Sequence, residues 1–372
     1  MIIDDPFDKP ARVLELNPEN GRRILAVSDI HGNLPYFKGV LEKAGFCDSD
    51  ILIIDGDFLE KGPDSLGTVR YIMELSKKGN VYTVSGNCDD WARFFVKGNT
   101  VRDEYILGYL RRMRYGILYE ILQNLHIDPD DINHVDEVKQ IVYEYCPDIW
   151  QFIATLWHAV ETPRFIFAHA SVLPGKSLRE HTAGELFRHN AYMSEDVKNE
   201  KWVVAGHWPV VLYHENIVNA NPIINYEKKI ISIDGGCVLK DDGQLNCLII
   251  PDGDSEDFSF VSYDSFPEYR VLSAQKAGEK SYYIRWGDSD VQVLERGEEF
   301  SRCRHVRTGY EMDILTKYLF CEDEITGCND CTDYVLPLEA GDIVSLVETS
   351  SRGCFVKHKG ISGWYFGELE KI

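Results

Sequence analysis

Five short apolar runs in this chain are each followed within a few residues by an aspartate, an asparagine or a histidine. These runs are Ile24-Leu-Ala-Val27, Ile51-Leu-Ile-Ile54, Val81-Tyr-Thr-Val84, Phe165-Ile-Phe167 and Trp202-Val-Val204. Short runs of this kind are typical of strands buried on both faces, as in a parallel sheet. Parallel strands end at a common edge, where open α/β sheets build their sites. The repeat therefore predicts an α/β fold with polar side chains gathered at one edge.

The polar residues that follow these runs are of the types that bind metal ions. They are Asp29, His31, Asp57, Asn87, His169 and His207. Oxygen and nitrogen donors together suit Mn, Fe or Zn better than Ca or a metal that prefers sulfur. Two ions about 3.5–4 Å apart need roughly this many ligands, with one carboxylate shared between them. A single such residue is usually an ordinary polar side chain, but their repeated placement after strands predicts a centre with two metal ions.

The motifs around these residues resemble those of the calcineurin-like metallophosphoesterase superfamily. They read Ser28-Asp-Ile-His-Gly-Asn33, Gly56-Asp-Phe-Leu-Glu-Lys-Gly62, Gly86-Asn-Cys-Asp89, Ala168-His-Ala170 and Gly206-His-Trp-Pro209. Another block, Ile231-Ser-Ile-Asp-Gly-Gly-Cys237, is similar to the strand that closes the core in the phosphoprotein-phosphatase branch. The resemblance covers about residues 23 to 250. It implies a four-layer α-β-β-α sandwich that hydrolyses a phosphate ester with a hydroxide bridging two metal ions.

The resemblance also implies how the ligands divide between the two ions. The first ion would be held by Asp29, His31 and Asp57, and the second by Asp57, Asn87, His169 and His207. Many phosphodiesterase relatives carry a second histidine where this chain has Pro209. The proline follows the phosphoprotein-phosphatase pattern and leaves the first ion one protein ligand poorer.

Several residues beside the ligands are candidates for the catalytic machinery. Cys88 stands where the phosphatase branch usually has a histidine thought to protonate the leaving oxygen, and a thiol of ordinary pKa near 8.5 matches that task less well. Glu60 and Lys61 replace an Asp-Arg pair, and a lysine offers a point charge instead of a bidentate fork. Arg188 lies where the branch places a phosphate-contacting arginine; the alternative is a surface arginine paired with Glu185. The candidate catalytic set is Asp57, Asn87, Lys61, Glu60, Cys88 and Arg188.

The charge of the chain limits its partners. A net charge of −22 over 372 residues disfavours a broad surface for nucleic acid or for an anionic membrane, although a small phosphate at a dicationic site is still allowed. No signal peptide is evident, and no apolar run is long enough to span a bilayer. The 10 scattered cysteines fit reduced thiols. These features predict a cytoplasmic protein that acts on a phosphorylated protein or small molecule.

The strand-like runs stop after Asp90, and apolar residues at spacings near three and four predict a helical insertion at about 91–162. This insertion lies within a predicted catalytic domain, residues 1–257. Arg111, Arg112 and Arg114 cluster in the insertion. They either belong to a cap that faces the metal ions, or they form a solvated helix face, as runs of charge usually do.

The remainder of the chain is predicted to be rich in β-structure. Residues 258–313 form a connecting region, and residues 314–372 resemble an SH3-like barrel. The resemblance is carried by Tyr318-Leu-Phe320, Leu338-Glu-Ala-Gly-Asp-Ile-Val-Ser-Leu-Val347 and Cys354-Phe-Val-Lys-His-Lys-Gly-Ile-Ser-Gly-Trp-Tyr365. Cys354 and Phe366 replace the tryptophan and the proline usual in SH3 domains that bind proline-rich peptides. We therefore expect this region to pack against the catalytic domain or to hold another protein.

The same region offers a second candidate metal site. A zinc clip would use Cys321, Cys328 and Cys331, with Cys303 or His305. A second Cys-x2-Cys pair is missing, so the alternative is a set of free thiols.

Three functions are compatible with these features. The first is a binuclear metallophosphoesterase that hydrolyses phosphomonoesters in the manner of a Ser/Thr protein phosphatase. The second acts on phosphodiesters or dinucleoside polyphosphates; Cys88 favours it and Pro209 disfavours it. The third is a non-catalytic scaffold that carries the SH3-like module to its partners. Retention of all six ligand types argues against the third, because a buried cluster of carboxylates without a use is costly.

Overall fold

The computed structural model of the protein describes residues 10–19, 21–90, 103–322 and 325–372. The chain divides into two compact units that alternate along the sequence. Unit 1 contains the chain up to Trp208, together with Pro222–Leu239 and Gln244–Asp264. Unit 2 contains Pro209–Asn221, Lys240–Gly243 and Ser265–Ile372. The predicted domain boundaries after residues 257 and 313 stay predictions.

Unit 1 is built on two sheets. The first sheet contains, in spatial order, β12 Ser259–Tyr263, β11 Leu245–Ile250, β2 Ile24–Val27, β3 Ile51–Asp55 and β4 Val81–Val84. The second contains β1 Val13–Glu15, β5 Ala159–Glu161, β6 Phe165–Phe167, β7 Trp202–Ala205, β10 Ile230–Ser232 and β9 Ile223–Asn225. Strands β2, β3 and β4 are parallel, and so are β6, β7 and β10. The carboxyl ends of each parallel set therefore share one edge.

The parallel strands are buried on both faces, because alternate residues join different hydrophobic clusters. Ala26 of β2 belongs to a cluster with Phe167 and Val204 of the second sheet. Leu25 and Val27 belong instead to a cluster formed with the helices. Side chains of a strand alternate between its faces, so one apolar run serves both interfaces.

The helices of unit 1 lie between its strands in the sequence, and most of them belong to the hydrophobic cluster that includes the first sheet. They are α1 Leu34–Lys43, α2 Ser65–Ser76, α3 Asn87–Asp90, α4 Asp103–Met113, α5 Ile117–Asn124, α6 Val135–Tyr145, α7 Pro147–Ala154 and α8 Ala183–Phe187. The side chains of Asn33 and Asp64 cap α1 and α2 by accepting a backbone N–H of the first turn. No helix among the described residues is long and apolar enough to cross a membrane. The mixed α/β architecture agrees with the predicted fold class, and the second helical layer of the sandwich stays a prediction.

The described part of the predicted insertion is helical and consists of α4 to α7; its first residues, 91–102, lie outside the described residues. Arg111 donates to the carbonyl oxygens of Pro129 and Ile132 at 3.3 and 2.7 Å. Arg114 donates to the carboxylate of Asp130 at 3.0 Å. These two arginines therefore contact a loop of the insertion itself, which favours the solvated-face interpretation.

Unit 2 is built mainly from strands. Its largest sheet contains, in order, β24 Leu369–Lys371, β13 Glu268–Val271, β21 Ile343–Thr349, β22 Cys354–His358, β23 Ile361–Tyr365 and β8 Val218–Asn219. A second sheet contains β15 Val291–Glu295, β16 Phe300–His305 and β17 Glu311–Leu315, and two pairs join β14 Tyr283–Ile284 to β20 Cys331–Thr332 and β18 Leu319–Glu322 to β19 Ile325–Cys328. These described strands form no closed barrel. The SH3-like assignment stays a prediction, and β18 lies outside the largest sheet.

The cysteines of the predicted zinc clip are only partly gathered. Cys328 Sγ and Cys331 Sγ are 3.8 Å apart, and Cys303 is buried in the same hydrophobic cluster as Cys328. Cys321 is exposed. Both ring nitrogens of His305 have hydrogen-bond partners. A zinc site here stays a prediction.

Candidate metal centre

All six predicted ligands lie just beyond the carboxyl ends of strands in unit 1. Asp29 and His31 follow β2, Asp57 follows β3, Asn87 follows β4, His169 follows β6 and His207 follows β7. Backbone hydrogen bonds connect these loops to one another. The N–H of His31 donates to the carbonyl oxygen of Asp57 at 2.9 Å, and the N–H of Gly206 donates to that of His169 at 2.8 Å. The parallel strand ends therefore bring the loops to one place.

Two groups of candidate ligand atoms share Asp57, and the predicted ligand Asp29 belongs to neither of them. Asp57, His169 and His207 each offer one ligand atom, and these atoms lie within 4.8 Å of one another. The same holds for His31, Asp57 and Cys88. In the first group, His169 Nε2 is 3.4 Å from Asp57 Oδ1. A carboxylate common to two groups is the arrangement that a bridging ligand requires.

The backbone is strained at most of these ligands. Four of them have φ in the left-handed region: Asp29 at 55°, His31 at 49°, Asp57 at 50° and His207 at 65°. Residues other than glycine seldom adopt this conformation, which costs about 1–3 kcal/mol each and persists only where the surroundings hold it. Such residues are concentrated at functional sites. The ligand loops therefore keep a strained backbone that positions the ligands, and this strain lowers the local stability.

Two glycines permit the close approach of the ligand loops. A Cβ atom at Gly206 would lie 2.1 Å from Asp29 Oδ2, and one at Gly86 would lie 2.1 Å from Asp57 Oδ1. Neither carboxylate can retreat without losing its position in the centre. The glycines of the Gly-His and Gly-Asn motifs are thus required by space.

Each histidine is oriented by a hydrogen bond at one ring nitrogen. Nδ1 of His169 donates to the carbonyl oxygen of Asp55 at 2.8 Å, and Nδ1 of His31 lies 3.3 Å from the carbonyl oxygen of Leu59. Nε2 of His207 is 2.9 Å from Oδ1 of Asn190. Because an oxygen accepts at one ring nitrogen, the other nitrogen is the one that the neutral ring would offer to a metal ion.

Several atoms of the centre are buried and lack a hydrogen-bond partner within the described part of the chain. They are Asp29 Oδ1, His31 Nε2 and His169 Nε2. Leaving such an atom unpaired costs about 1–3 kcal/mol, and a metal ion would supply the missing partner. His31 Nε2 is 3.8 Å from Asp29 Oδ1, a separation that one ion can serve. The residues present therefore fit metal ions.

Asn87 supports the same conclusion. One arm of its amide lies 2.8 Å from Nδ1 of His207. With the amide oxygen in that arm, two lone pairs face each other and a cation is needed between them. With the nitrogen there instead, the amide donates to His207 Nδ1 and to the carbonyl oxygen of Phe187. Without an ion, the amide nitrogen of Asn87 can donate to His207. With an ion, the amide oxygen can turn toward it and bind it.

Burial sets the protonation of the ligands. It lowers the pKa of His31 to about 4 and that of His207 to about 4, so both are neutral at pH 7. Burial alone would raise the pKa of the Asp57 carboxyl, but the charge of His169 holds it below its usual range. Burial raises the pKa of Asp29 well above its usual range, and the carboxylate of Asp234 adds to this effect. Bound cations would favour the ionised form of Asp29.

The motif analysis missed the residue that holds the bridging loop. Asp89 is fully buried, and its carboxylate accepts four backbone N–H groups: those of Asp57 and Gly86 at Oδ2 and those of Phe58 and Leu59 at Oδ1, at 2.7–3.1 Å. Asp89 thereby fixes the backbone of the bridging ligand. It is the last residue of the Gly-Asn-Cys-Asp motif, which was a sufficient signal to find it.

Glu60 connects the metal loop to the helical insertion. Its carboxylate accepts the hydroxyl of Tyr109 at 2.9 Å and the N–H of Ile117, at the start of α5, at 3.1 Å. In return, Glu120 of α5 accepts the N–H groups of Ser65 and Leu66, which begin α2, at 2.7 and 2.8 Å. The structure therefore places Glu60 in a positioning contact.

Three other predicted residues lie around the centre. Cys88 is half-buried in the group with His31. Lys61 and Arg188 are exposed. Burial is the main cause of the low pKa values of His31 and His207, and the charge of Lys61 adds to the first and that of Arg188 to the second. One cation therefore lies near each of the two groups.

Comparison with known proteins gives a consistent result. The model of a family described as calcineurin-like phosphoesterase matches residues 22–211. The bis(5'-nucleosyl)-tetraphosphatase PrpE [asymmetrical] of Bacillus subtilis is 24% identical over 238 residues, which are 57% of this chain and 85% of that protein. The symmetrical bis(5'-nucleosyl)-tetraphosphatase of Buchnera aphidicola is 47% identical over 64 residues, which are 17% of this chain and 23% of that protein.

Among solved structures, a protein serine/threonine phosphatase from Saccharomyces cerevisiae matches 70% of this chain and 85% of its own, with 10% identity and a TM-score of 0.42.

Proposed function

The chain belongs to the calcineurin-like phosphoesterase family, and on that premise we propose that it hydrolyses a phosphoanhydride bond of a dinucleoside polyphosphate. Its family and its relatives make it a hydrolase that acts on phosphate esters. The sequence relatives named above as bis(5'-nucleosyl)-tetraphosphatases support the narrower substrate class.

The observation that carries the proposal is the placement of Lys61 and Arg188. Both are exposed, and each adds to the lowered pKa of a different histidine, so each ligand group has a cation close enough to affect one of its histidines. A polyphosphate carries negative charge on both sides of the bond that is cleaved, whereas a phosphomonoester carries it on one side. Two separate cations near the centre therefore complement a polyphosphate better.

The chemistry of Cys88 also favours a polyphosphate substrate. Burial, and then the charge of Asp57, raise the pKa of its thiol well above the usual range, so the thiol is a weak acid. The oxygen that leaves when a serine phosphate is cleaved is strongly basic and needs a good proton donor. The leaving group from a polyphosphate is itself a phosphate, whose second pKa is about 6, and it needs little protonation. A site without an imidazole acid suits the second reaction.

The residues of the chain divide the work as follows. The candidate metal ligands are Asp29, His31, Asp57, Asn87, His169 and His207. Metal ions held by these residues would acidify a water and neutralise charge on the phosphoryl oxygens. Lys61 and Arg188 bind the phosphates on either side, and Asp89 keeps Asp57 in place.

A competition between substrates tests the proposal. The full chain is loaded with Mn, Zn or Fe and assayed with bis(5'-adenosyl) tetraphosphate, p-nitrophenyl phosphate and bis-p-nitrophenyl phosphate. We expect kcat/KM for the tetraphosphate to be at least about 100-fold higher than for the other two. Lys61→Gln and Arg188→Gln should each lower it about tenfold, whereas Lys176→Gln, in a surface pair with Glu185, should not. A preference for p-nitrophenyl phosphate would contradict the proposal.

The second candidate is a phosphomonoesterase of the Ser/Thr protein phosphatase type. Pro209 favours it, because the Gly206-His-Trp-Pro209 motif follows the phosphoprotein-phosphatase pattern. A phosphoserine peptide distinguishes the two: turnover of the peptide above that of the tetraphosphate selects the monoesterase. Absence of both turnover and bound metal would select the non-catalytic scaffold.

For unit 2, we propose that residues 314–372 form an SH3-like module that binds another protein.

A further inference from the structure

The predicted donor set of the first ion contains three side chains. They are Asp29, His31 and Asp57, as the family resemblance implies. An ion held by three side chains keeps open positions, which water or a further side chain can fill. Cys88 lies near His31 and Asp57 and is a candidate for such a further ligand.

Cys88 lies in one group with His31 and Asp57, which are two of the three predicted ligands of the first ion. Its ligand atom and those of His31 and Asp57 lie within 4.8 Å of one another. Zinc holds sulfur at about 2.3 Å and nitrogen at about 2.1 Å in a tetrahedral arrangement, so its ligand atoms lie about 3.6 Å from one another. The three side chains would have to move together by about 1 Å at most to share an ion.

The position of Cys88 is fixed by the bridging carboxylate. The backbone N–H of Cys88 donates to Asp57 Oδ1 at 2.8 Å. Independently of the cysteine, His31 Nε2 and Asp29 Oδ1 are buried, each about 1% exposed by residue, and lack hydrogen-bond partners within the described residues. These two atoms are 3.8 Å apart, so one cation could bind both of them.

We infer that Cys88 is a ligand of the first metal ion, bound through its sulfur as a thiolate. This inference rests on the proposed function, because it assumes that the centre holds ions. As the sulfur–metal bond forms, the thiol proton passes to solvent, so uptake of the ion releases a proton. A thiolate makes the first site softer, and it selects Zn or Co over Mn and Mg. The reactive proton is then gone, so Cys88 does not protonate the leaving group.

Cobalt gives a direct spectroscopic test on the full chain. Co²⁺ bound to a thiolate shows a charge-transfer band in the near ultraviolet, while Co²⁺ bound to any ligand set shows weaker visible bands. We expect the wild-type protein to bind two Co²⁺ and to show the charge-transfer band. Cys88→Ser should still bind cobalt but lose that band, with at least about tenfold weaker binding of one Zn²⁺ and a smaller change for Mn²⁺. Cys47→Ser, which alters an exposed thiol, is the matched control and should keep the band.

Alkylation provides a second measurement that needs no variant. Iodoacetamide should modify Cys88 more slowly in the zinc-loaded protein than in the metal-free protein, by at least about tenfold, while Cys47 should react equally in both. A charge-transfer band that is absent from the wild type, or retained at full strength in Cys88→Ser, overturns the inference while the visible bands keep the metal centre intact. Failure of the wild type to bind any cobalt or zinc overturns the inference and the proposed function together.

Discussion

Replacement of Asp89 by asparagine should loosen the bridging loop more than any surface change of the same size. Each oxygen of its carboxylate accepts two backbone N–H groups, at 2.7–3.1 Å. Burial and the charge of Asp57 raise the pKa of this carboxyl, against the N–H donors, which lower it. A proton on either oxygen would point at two donors, so the geometry requires the ionised form.

The free-energy cost of Asp89→Asn follows from the number of backbone N–H groups that lose their acceptor. An asparagine keeps one oxygen and places an NH2 group against the other two N–H groups, in either orientation. Two hydrogen bonds to a charged group are lost, at about 1.5–3 kcal/mol each, which gives about 3–6 kcal/mol. Native domains are stable by only about 5–15 kcal/mol, so the effect is large on that scale.

Hydrogen exchange at the four affected backbone amides measures this loss of stability. In Asp89→Asn, the N–H groups of Asp57, Phe58, Leu59 and Gly86 should exchange at least about 100-fold faster, since 1.4 kcal/mol is a factor of ten. Zinc affinity should fall as well, because Asp57 loses its fixed backbone. The control is Asp64→Asn, in which a single accepted N–H, from Gly67 at 2.8 Å, is kept by the new side chain. Exchange within tenfold of wild type in Asp89→Asn, with unchanged zinc affinity, would refute the reasoning.

Asp57→Asn should reduce turnover by at least about 10³-fold and leave at most one ion bound, because the shared carboxylate is lost; activity within tenfold of wild type, checked with metal analysis, would rule out a bridging role. Tyr109→Phe should destabilise the protein by about 1–3 kcal/mol in urea, because it removes a hydrogen bond to the buried carboxylate of Glu60; the exposed Tyr105→Phe should have no comparable effect, and equal effects would contradict the assignment. The pKa of His31 is lowered from 6.5 to about 4, so the unfolded chain binds the extra proton between these values. The stability that depends on His31 in the metal-free protein should be complete above pH 6.5 and fall by about 1.4 kcal/mol per pH unit toward pH 4; an unchanged slope in His31→Gln would disprove this.

The sequence was sufficient to predict the strand ends and the residues that meet there. Runs such as Ile24–Val27 are apolar throughout because they contact a core on each face, and parallel pairing then places the following residues at one edge. Asp29, His31 and Asp57 were found for that reason. The candidate ligands could thus be found from the sequence because each one follows a short apolar segment that forms a strand.

Other features required coordinates because they depend on contacts between distant segments. The carboxylates of Glu60 and Glu120 each accept backbone N–H groups of the other's segment, which connects residues 54 to 57 apart, and no local pattern indicates these contacts. The interleaving of the two units could not be read from composition, because Val218–Asn219 is a strand of only two residues. Its neighbour in the sheet, Ile361–Tyr365, follows more than a hundred residues later.

This interleaving affects how the protein can be dissected. Pro209–Asn221 belongs to unit 2, although it begins two residues after the ligand His207 and is followed by a return to unit 1. A stop codon placed before Ser265 would leave Val218–Asn219 without the sheet that it joins. Inactivity of such a truncated chain would therefore say nothing about the task of the C-terminal strands, and point substitutions in the intact chain are the appropriate tool for that question.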